Sequence, residues 1–351
     1  MKASRDMKRK QWMKQGLTAM LGLALALSAA GCGEKPKTPG TGELIDPPKA
    51  GSTAKPDGQS GQGQGAAPSA KATAYPLKVK DATGTEFTFE KAPSRIVSVS
   101  PSETEMLFAL GLGDKVVGVS DYDDYPAEAA KKPKMGSIVK PNEEALLAAN
   151  ADVVLSGVSL PLPAVEKLRS LKVSVFKVDP KTVDDVMNNM IMFGQVFDKQ
   201  EQAEKVVASM KAERQKVVDA VKDLKPEQKK RVFIEFSPGW TVGKGEFMDE
   251  LITLSGGINV ASDVKGFAKM DEEKVIADNP QVILYPNHLI DENSKKSMDQ
   301  IIKGRSSWAG VDAVKNNKLV GVDQNLISRP GPRITQGLLE IAKGIYPELV
   351  K

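Results

Sequence analysis

One stretch of this chain occurs twice, and the repeat limits what the rest can fold into. Pro141–Leu155 (PNEEALLAANADVVL) and Met270–Leu284 (MDEEKVIADNPQVIL) align without a gap at an offset of 129 residues. Six of the fifteen positions are identical: Glu143/Glu272, Glu144/Glu273, Ala148/Ala277, Asn150/Asn279, Val153/Val282 and Leu155/Leu284. Three more pairs exchange one aliphatic for another. Each copy reads as an acidic helix start, a short helix and a buried strand. The chain is therefore expected to hold two copies of one α/β lobe.

The surrounding sequence supports that reading. Tyr75–Glu90 alternates apolar and polar residues about Ala82-Thr83-Gly84, the pattern of a β-hairpin. Buried strands are expected at Arg95–Ser100, Lys115–Ser120, Val153–Ser156 and Val173–Val178, with helices at Thr104–Leu110, Glu143–Asn150 and Ala164–Leu171 between them. The alternation restarts after Pro226, with strands at Arg231–Phe236, Val282–Tyr285 and Leu319–Val322 and helices at Phe247–Leu254, Glu272–Ala277 and Ile334–Ile345. Strands and helices at this spacing argue for parallel βαβ units. Between Pro180 and Pro226 there is no proline and one glycine, Gly194. This span reads as a helix over Val183–Phe197, then a capping box at Asp198–Glu201 opening a second helix to about Asp223, roughly 37 Å long. The expected domains are thus an N-terminal lobe over 75–181, a linking helical segment over 182–225 and a C-terminal lobe over 226–351. Two similar lobes on a helical rod leave a cleft, a preferred place for a ligand.

The first 74 residues are of another kind. Lys2, Arg5, Lys8, Arg9, Lys10 and Lys14 precede an uncharged apolar run, Gly16–Gly31, too short to span a bilayer and suited to a signal peptide over 1–31. The sole cysteine follows, in Ala29-Ala30-Gly31-Cys32-Gly33, which resembles a bacterial lipobox with Ala29 where Leu is usual. That resemblance implies lipidation of Cys32 and a lipid anchor in the cell membrane; plain cleavage at A-x-A, or a buried Cys, is the alternative. Residues 33–74 carry 8 Gly, 6 Pro and no aromatic residue, a composition that cannot bury enough apolar surface to offset ordering entropy. They read as a disordered tether between anchor and body.

Composition removes several function classes. The formal net charge is +4, and part of that excess lies in the first 14 residues. No basic stripe remains to bind nucleic acid. With one Cys and one His (His288), an intramolecular disulfide, a Cys/His zinc site and covalent haem attachment are ruled out, and no nucleophilic pair has a motif. No enzyme activity, catalytic residue, resident metal or cofactor is expected. The glycine-rich run Gly61–Gly65 lies in the tether and follows no strand, so it does not read as a phosphate loop.

Several motifs in order carry a family resemblance. Arg95–Glu105 (RIVSVSPSETE), Val116–Pro126 (VVGVSDYDDYP), the duplicated Glu-Glu helices, Thr241–Leu251 (TVGKGEFMDEL), Gly256–Val260 (GGINV) and Arg329–Arg333 (RPGPR) resemble the solute-binding proteins of iron-siderophore and vitamin B12 ABC importers. The resemblance covers about Tyr75–Leu349 and implies two doubly wound parallel-sheet, Rossmann-like α/β lobes joined by one long α-helix. It further implies a monomer that captures a metal chelate between its lobes and hands it to a dimeric permease with its ATPase. By motif position, Glu144 and Glu273 match the family glutamates that meet permease arginines. The bland alternative for the paired acids is a helix-dipole role.

For the ligand, the vitamin B12 branch walls its corrin with aromatics and an Arg, at positions matching Tyr122, Trp240, Phe267 and Arg329. Flat aromatic faces suit a large ring system, and an Arg answers amide or phosphate oxygens. A second aromatic of that branch falls near Ile138 here. Phe267 reads equally as core, and Tyr125 as packing beside Pro126. The competing ligand is a ferric siderophore, which would call on Arg329, Arg333, Lys140 or Lys269; haem would use Tyr122, Tyr125 or His288, although His288 reads as a solvated loop residue. A surface sensor or adhesin lipoprotein is the remaining reading.

Overall fold

The computed structural model describes residues 71–350. The signal peptide, Cys32 and the tether as far as residue 70 lie outside the described residues.

The elements run in chain order as follows. A hairpin of β1 (Leu77–Lys80) and β2 (Glu86–Phe89) comes first. Then come β3 (Ile96–Ser98), α1 (Pro101–Ala109), β4 (Val116–Val119), α2 (Glu143–Ala149), β5 (Val153–Ser156), α3 (Leu162–Ser170) and β6 (Val175–Lys177). Two helices follow, α4 (Val183–Val196) and α5 (Gln200–Val221). The rest comprises β7 (Arg231–Ile234), β8 (Trp240–Val242), α6 (Phe247–Leu254), β9 (Ile258–Asn259), β10 (Phe267–Lys269), α7 (Glu272–Asp278) and β11 (Val282–Asn287). It closes with α8 (Met298–Lys303), α9 (Asp312–Lys315), β12 (Leu319–Asp323), α10 (Gln324–Ser328) and α11 (Ile334–Ile345).

Both lobes contain a four-stranded sheet whose pairs are all parallel. The orders are β4-β3-β5-β6 and β9-β7-β11-β12, so each lobe arranges its own strands as 2-1-3-4. The chain reverses its direction of travel beside β3 and beside β7, which makes the carboxyl ends of these strands the natural ligand side. The duplication extends beyond the identical residues. Asn150 and Asn279 end α2 and α7 in the same left-handed conformation, φ 44° in each. Arg95, just before β3, donates from Nε to Asn150 O (3.2 Å) and from Nη2 to Ala149 O (2.8 Å). Arg231, opening β7, does the same to Asp278 O (3.1 Å) and Asn279 O (2.9 Å). Each guanidinium meets the negative end of its helix. Asp152 and Gln281, different residues at the repeat offset, both accept from the backbone N–H of that arginine.

Alternation along the strands divides the core. Ile96, Val153 and Leu155 face one way, Val97, Val154 and Val175 the other. In the second sheet Val232, Ile234 and Leu284 oppose Phe233 and Ile283. The inner faces of both sheets belong to one continuous apolar core, bridged by Val207, Met210, Val217 and Val221 of α5.

The linking segment differs from expectation at its centre. Asp198 does not cap α5; it sits at φ 55° and accepts the backbone N–H of Thr73 (2.7 Å), two residues ahead of the expected start of the body. Lys199 is the N-cap and makes no side-chain cap bond. The capping box lies instead at Thr182 and Asp185, opening α4. The crossing helix α5 has 22 residues and ends at Val221, so it is about 33 Å long rather than 37 Å. α4 runs back antiparallel to it: Arg214 pairs with Asp184 at 2.7 Å, and Gly194 meets Ala203 near the turn. A Cβ on Gly194 would lie 2.6 Å from that of Ala203. Gly194→Val is therefore expected to lower the unfolding free energy by about 1–3 kcal/mol in urea titration, with partial recovery on adding Ala203→Gly. Unchanged stability would show that the helices are free to part there.

Candidate functional site

The ligand-side loop of the N-terminal lobe follows β4. Asp123 turns inward and is buried; its carboxylate accepts from the Ser120 backbone N–H (2.8 Å) and hydroxyl, while Lys134 Nζ donates to Ser120 O and Asp123 O, each at 3.0 Å. This fixes the loop with its two tyrosines outward: Tyr122 is 57% exposed and Tyr125 47%. Apolar rings of that size left in water, on a rigid loop, are available to a ligand.

Arg329 and Arg333 come from the other lobe, at the turn between α10 and α11, and both reach across to α1. Arg333 grips Glu105 with two bonds, Nε to Oε2 (2.8 Å) and Nη2 to Oε1 (2.6 Å), and its guanidinium lies 3.8 Å from the centroid of the Tyr125 ring. Arg329 donates to Glu105 Oε1 (3.1 Å), Asp124 Oδ1 (2.6 Å) and Tyr122 O (3.1 Å). Burial opposes the charge of Asp124, but Arg329 outweighs it and holds the carboxyl below the usual range. Lys181 joins the lobes a second time through Glu246 (3.0 Å), beside the bond from Val183 N–H to Glu250.

Trp240 and Phe267 belong to a small antiparallel pair, β8 and β10, that the strand pattern did not reveal. It stands at the carboxyl end of β7, pinned by Thr241 Oγ1 to Ile234 O (2.7 Å). Both rings are 39% exposed. Phe267 also packs edge-on against Phe236, 5.5 Å between centroids, so it is partly covered by the lobe and is not a buried core residue. The structure thus brings Arg329 onto the Tyr122 loop and sets Trp240 and Phe267 on one ribbon of the C-terminal lobe, with Lys269 opposite Trp240. Lys140 and Lys269 are exposed, and His288 is exposed in a left-handed turn after β11. Among the described residues no cluster of three or more His, Cys, Asp or Glu could hold a metal ion, and no helix is long and apolar enough to cross a membrane.

Glu105, Asp124 and Glu246 were not singled out by sequence reasoning. Their partners lie far along the chain, and the one signal, the acids of Ser102-Glu103-Thr104-Glu105, looks like an ordinary acidic helix start.

The second acids of the duplicated pairs are distinguished from the first. Glu143 is paired with Lys167 (2.5 Å), and Glu272 lies 3.7 Å from Arg305, whose guanidinium is bonded twice to Glu235. Glu144 and Glu273 are exposed and have no ion-pair partner among the described residues.

A family model described as periplasmic binding protein matches residues 96–326. The chain belongs to the periplasmic binding protein family. It is 33% identical to the uncharacterized ABC transporter substrate-binding lipoprotein YvrC of Bacillus subtilis, over 80% of this chain and 89% of that one. A solved structure of a possible iron-binding (periplasmic solute-binding) protein from Staphylococcus epidermidis superposes with a TM-score of 0.62 at 32% identity, covering 73% of this chain and all of the other. The periplasmic vitamin B12 binding protein BtuF of Vibrio cholerae gives 0.64 at 26% identity, over 73% of this chain and 97% of that one. As a member, the protein is an extracytoplasmic substrate-binding component of ABC transport; it carries its ligand and does not convert it.

One buried group lies behind the site without a partner. Glu103, on α1, is fully buried, and neither of its oxygens finds a hydrogen bond. Burial pushes its carboxyl up to about 7, against the pull of Ser100 and the charge of Lys177. A carboxyl raised in the fold binds more protons there than in the unfolded chain, so stability falls as pH rises from about 4.5 to 7. Glu103→Gln is expected to remove that slope and to raise unfolding free energy at pH 8 by something on the order of 3 kcal/mol. Parallel pH profiles for the variant and the wild type would contradict this assignment.

Proposed function

We propose that the protein captures a metal chelate, cobalamin in preference to a ferric siderophore, between its lobes and delivers it to a dimeric ABC permease. One observation carries the choice of ligand: three part-exposed aromatics, Tyr122, Trp240 and Phe267, stand at the carboxyl ends of the two sheets, and the two arginines on the Tyr122 loop are already paired with carboxylates. Arg329 and Arg333 face Glu105 and Asp124, two cations against two carboxylates. Such a site has flat apolar faces, and its arginines add little net positive charge. It suits a large ring system with amide side chains better than a polyanionic catecholate chelate. The vitamin B12 binding likeness supports cobalamin; the possible iron-binding one, at higher identity, keeps ferric siderophores as the second reading.

Delivery rests on Glu144 and Glu273, one on each lobe, both without an internal partner and so available to basic groups on a two-fold permease. Cys32 is the proposed lipid attachment site, with the lipoprotein relative in support. The described body is proposed to act as a monomer. The shared core bridged by α5 favours small rocking of the lobes over wide closure.

The test is a titration of the chain from Cys32 onward with cyanocobalamin, followed by tryptophan fluorescence and by calorimetry. That chain retains Trp240, which is exposed, and Trp308, which is fully buried. Saturable quenching at micromolar ligand or below is expected, with most of the change lost in Trp240→Phe. No heat with cobalamin, but saturable heat with a ferric siderophore, would replace the preferred ligand with the second.

A further inference from the structure

The duplicated helices repeat more than their acids. One turn beyond Glu144, α2 carries Leu147 and Ala148; one turn beyond Glu273, α7 carries Ile276 and Ala277. Positions three and four apart lie on one helix face, so each acid has an aliphatic and an alanine methyl beside it. All four of these apolar residues are exposed, Leu147 by 49% and Ile276 by 39%. The adjacent residues Leu146 and Val275 are the ones that enter the core. A lone exposed aliphatic needs no explanation. Two of them at matched positions, each one turn from an unpaired acid, call for one. The other exposed aliphatics of the body, Val139, Leu162, Leu171, Ile258, Ile290 and Leu349, have no aliphatic of similar size at the repeat offset in the described body; Val139, Ile258 and Leu349 meet only the methyls of Ala268, Ala129 and Ala220.

We propose that Leu147 and Ile276 are the apolar anchors of the permease-docking surface, each seated in a hydrophobic recess beside the basic group that meets Glu144 or Glu273. The inference rests on the docking role of those glutamates and adds the part that gives it strength. An ion pair open to water contributes little. An aliphatic side chain seated beside it contributes its own burial and excludes water from the pair, the arrangement found around interface hot spots. The two patches share one register on two copies of one lobe. The matching partner therefore presents a basic group and an apolar recess twice, related by a two-fold axis. A permease made of two like subunits has that form.

The experiment measures binding of the chain from Cys32 onward to the host's own permease–ATPase complex in nanodiscs, for three paired variants. Leu147→Ser with Ile276→Ser is expected to weaken binding about tenfold or more, comparable with Glu144→Ala together with Glu273→Ala. Leu147→Met with Ile276→Met is expected to keep most of it. Leu162→Ser with Ile290→Ser, more exposed but unmatched, is expected to leave it unchanged. Thermal melts of each variant check that the fold is intact. Full binding by the Leu147/Ile276 serine variant overturns the inference, whatever the glutamates do. So does an equal loss in the Leu162/Ile290 pair, which would make the effect one of general surface apolarity. Full binding by the glutamate variant removes the docking reading itself and this inference with it.

Discussion

Glu105 is a carboxylate with almost no access to water, and both of its oxygens are held by arginines from the other lobe. A charge in that position is costly unless it is paired, and removing one partner from such a pair typically destabilises by about 3–5 kcal/mol. The pairing therefore favours the arrangement seen at this edge, with the α10–α11 turn drawn onto α1. Much of the site follows from it. Arg333, held by Glu105, lies over the Tyr125 ring; Arg329, held by the same group, fixes Asp124 and the Tyr122 carbonyl. The ligand-side loop of one lobe is thus positioned by side chains of the other. The ion cluster supplies direction where the continuous apolar core behind it supplies area.

The same economy shows in the two sheets. Each lobe solves its crossover from strand two to strand three with an arginine at the mouth of strand one, a short helix ended by a left-handed asparagine, and a side-chain acceptor opening strand three. Asp152 and Gln281 align in the ungapped repeat as different residues, and Arg95 and Arg231 are the same residue off that offset, yet each pair serves equivalent positions. Structure has kept the interactions where sequence kept only part of the residues. With two such lobes, the carboxyl ends of both sheets carry the variable loops, and the aromatic residues and arginines gather there.

The sequence reading reached the architecture because its signals were local. Short buried runs such as Val153–Ser156, the helix stop at Asn150 and the repeat itself each lie within a few residues. It missed what has no local signature. β9 has two residues, and β8 and β10 three each, too few for a period to register. Asp198 and Glu201 have the spacing of a capping box, but the chain needs a left-handed residue to reverse between α4 and α5, and Asp tolerates that conformation. The four candidate ligand residues were proposed through resemblance. Their physical setting was not foreseen, because Arg329 and Glu105 are separated by 224 residues and a long-range polar pair leaves no periodic trace. Glu144 and Glu273 were readable from the repeat, yet only the structure shows a cation near each first acid, Lys167 by Glu143 and Arg305 by Glu272, and none by the second ones among the described residues.

The account depends on Glu105 and the arginines acting as one unit across the lobes. A double-mutant cycle measures this directly: urea unfolding of the wild type, Glu105→Gln, Arg333→Gln and the double variant. Side chains coupled through a buried ion pair are expected to give an interaction energy of about 1–3 kcal/mol, so the double variant is much less destabilised than the sum of the singles. Additivity within about 0.5 kcal/mol would mean that the lobes are held by the shared core alone and that the cluster does not set their arrangement.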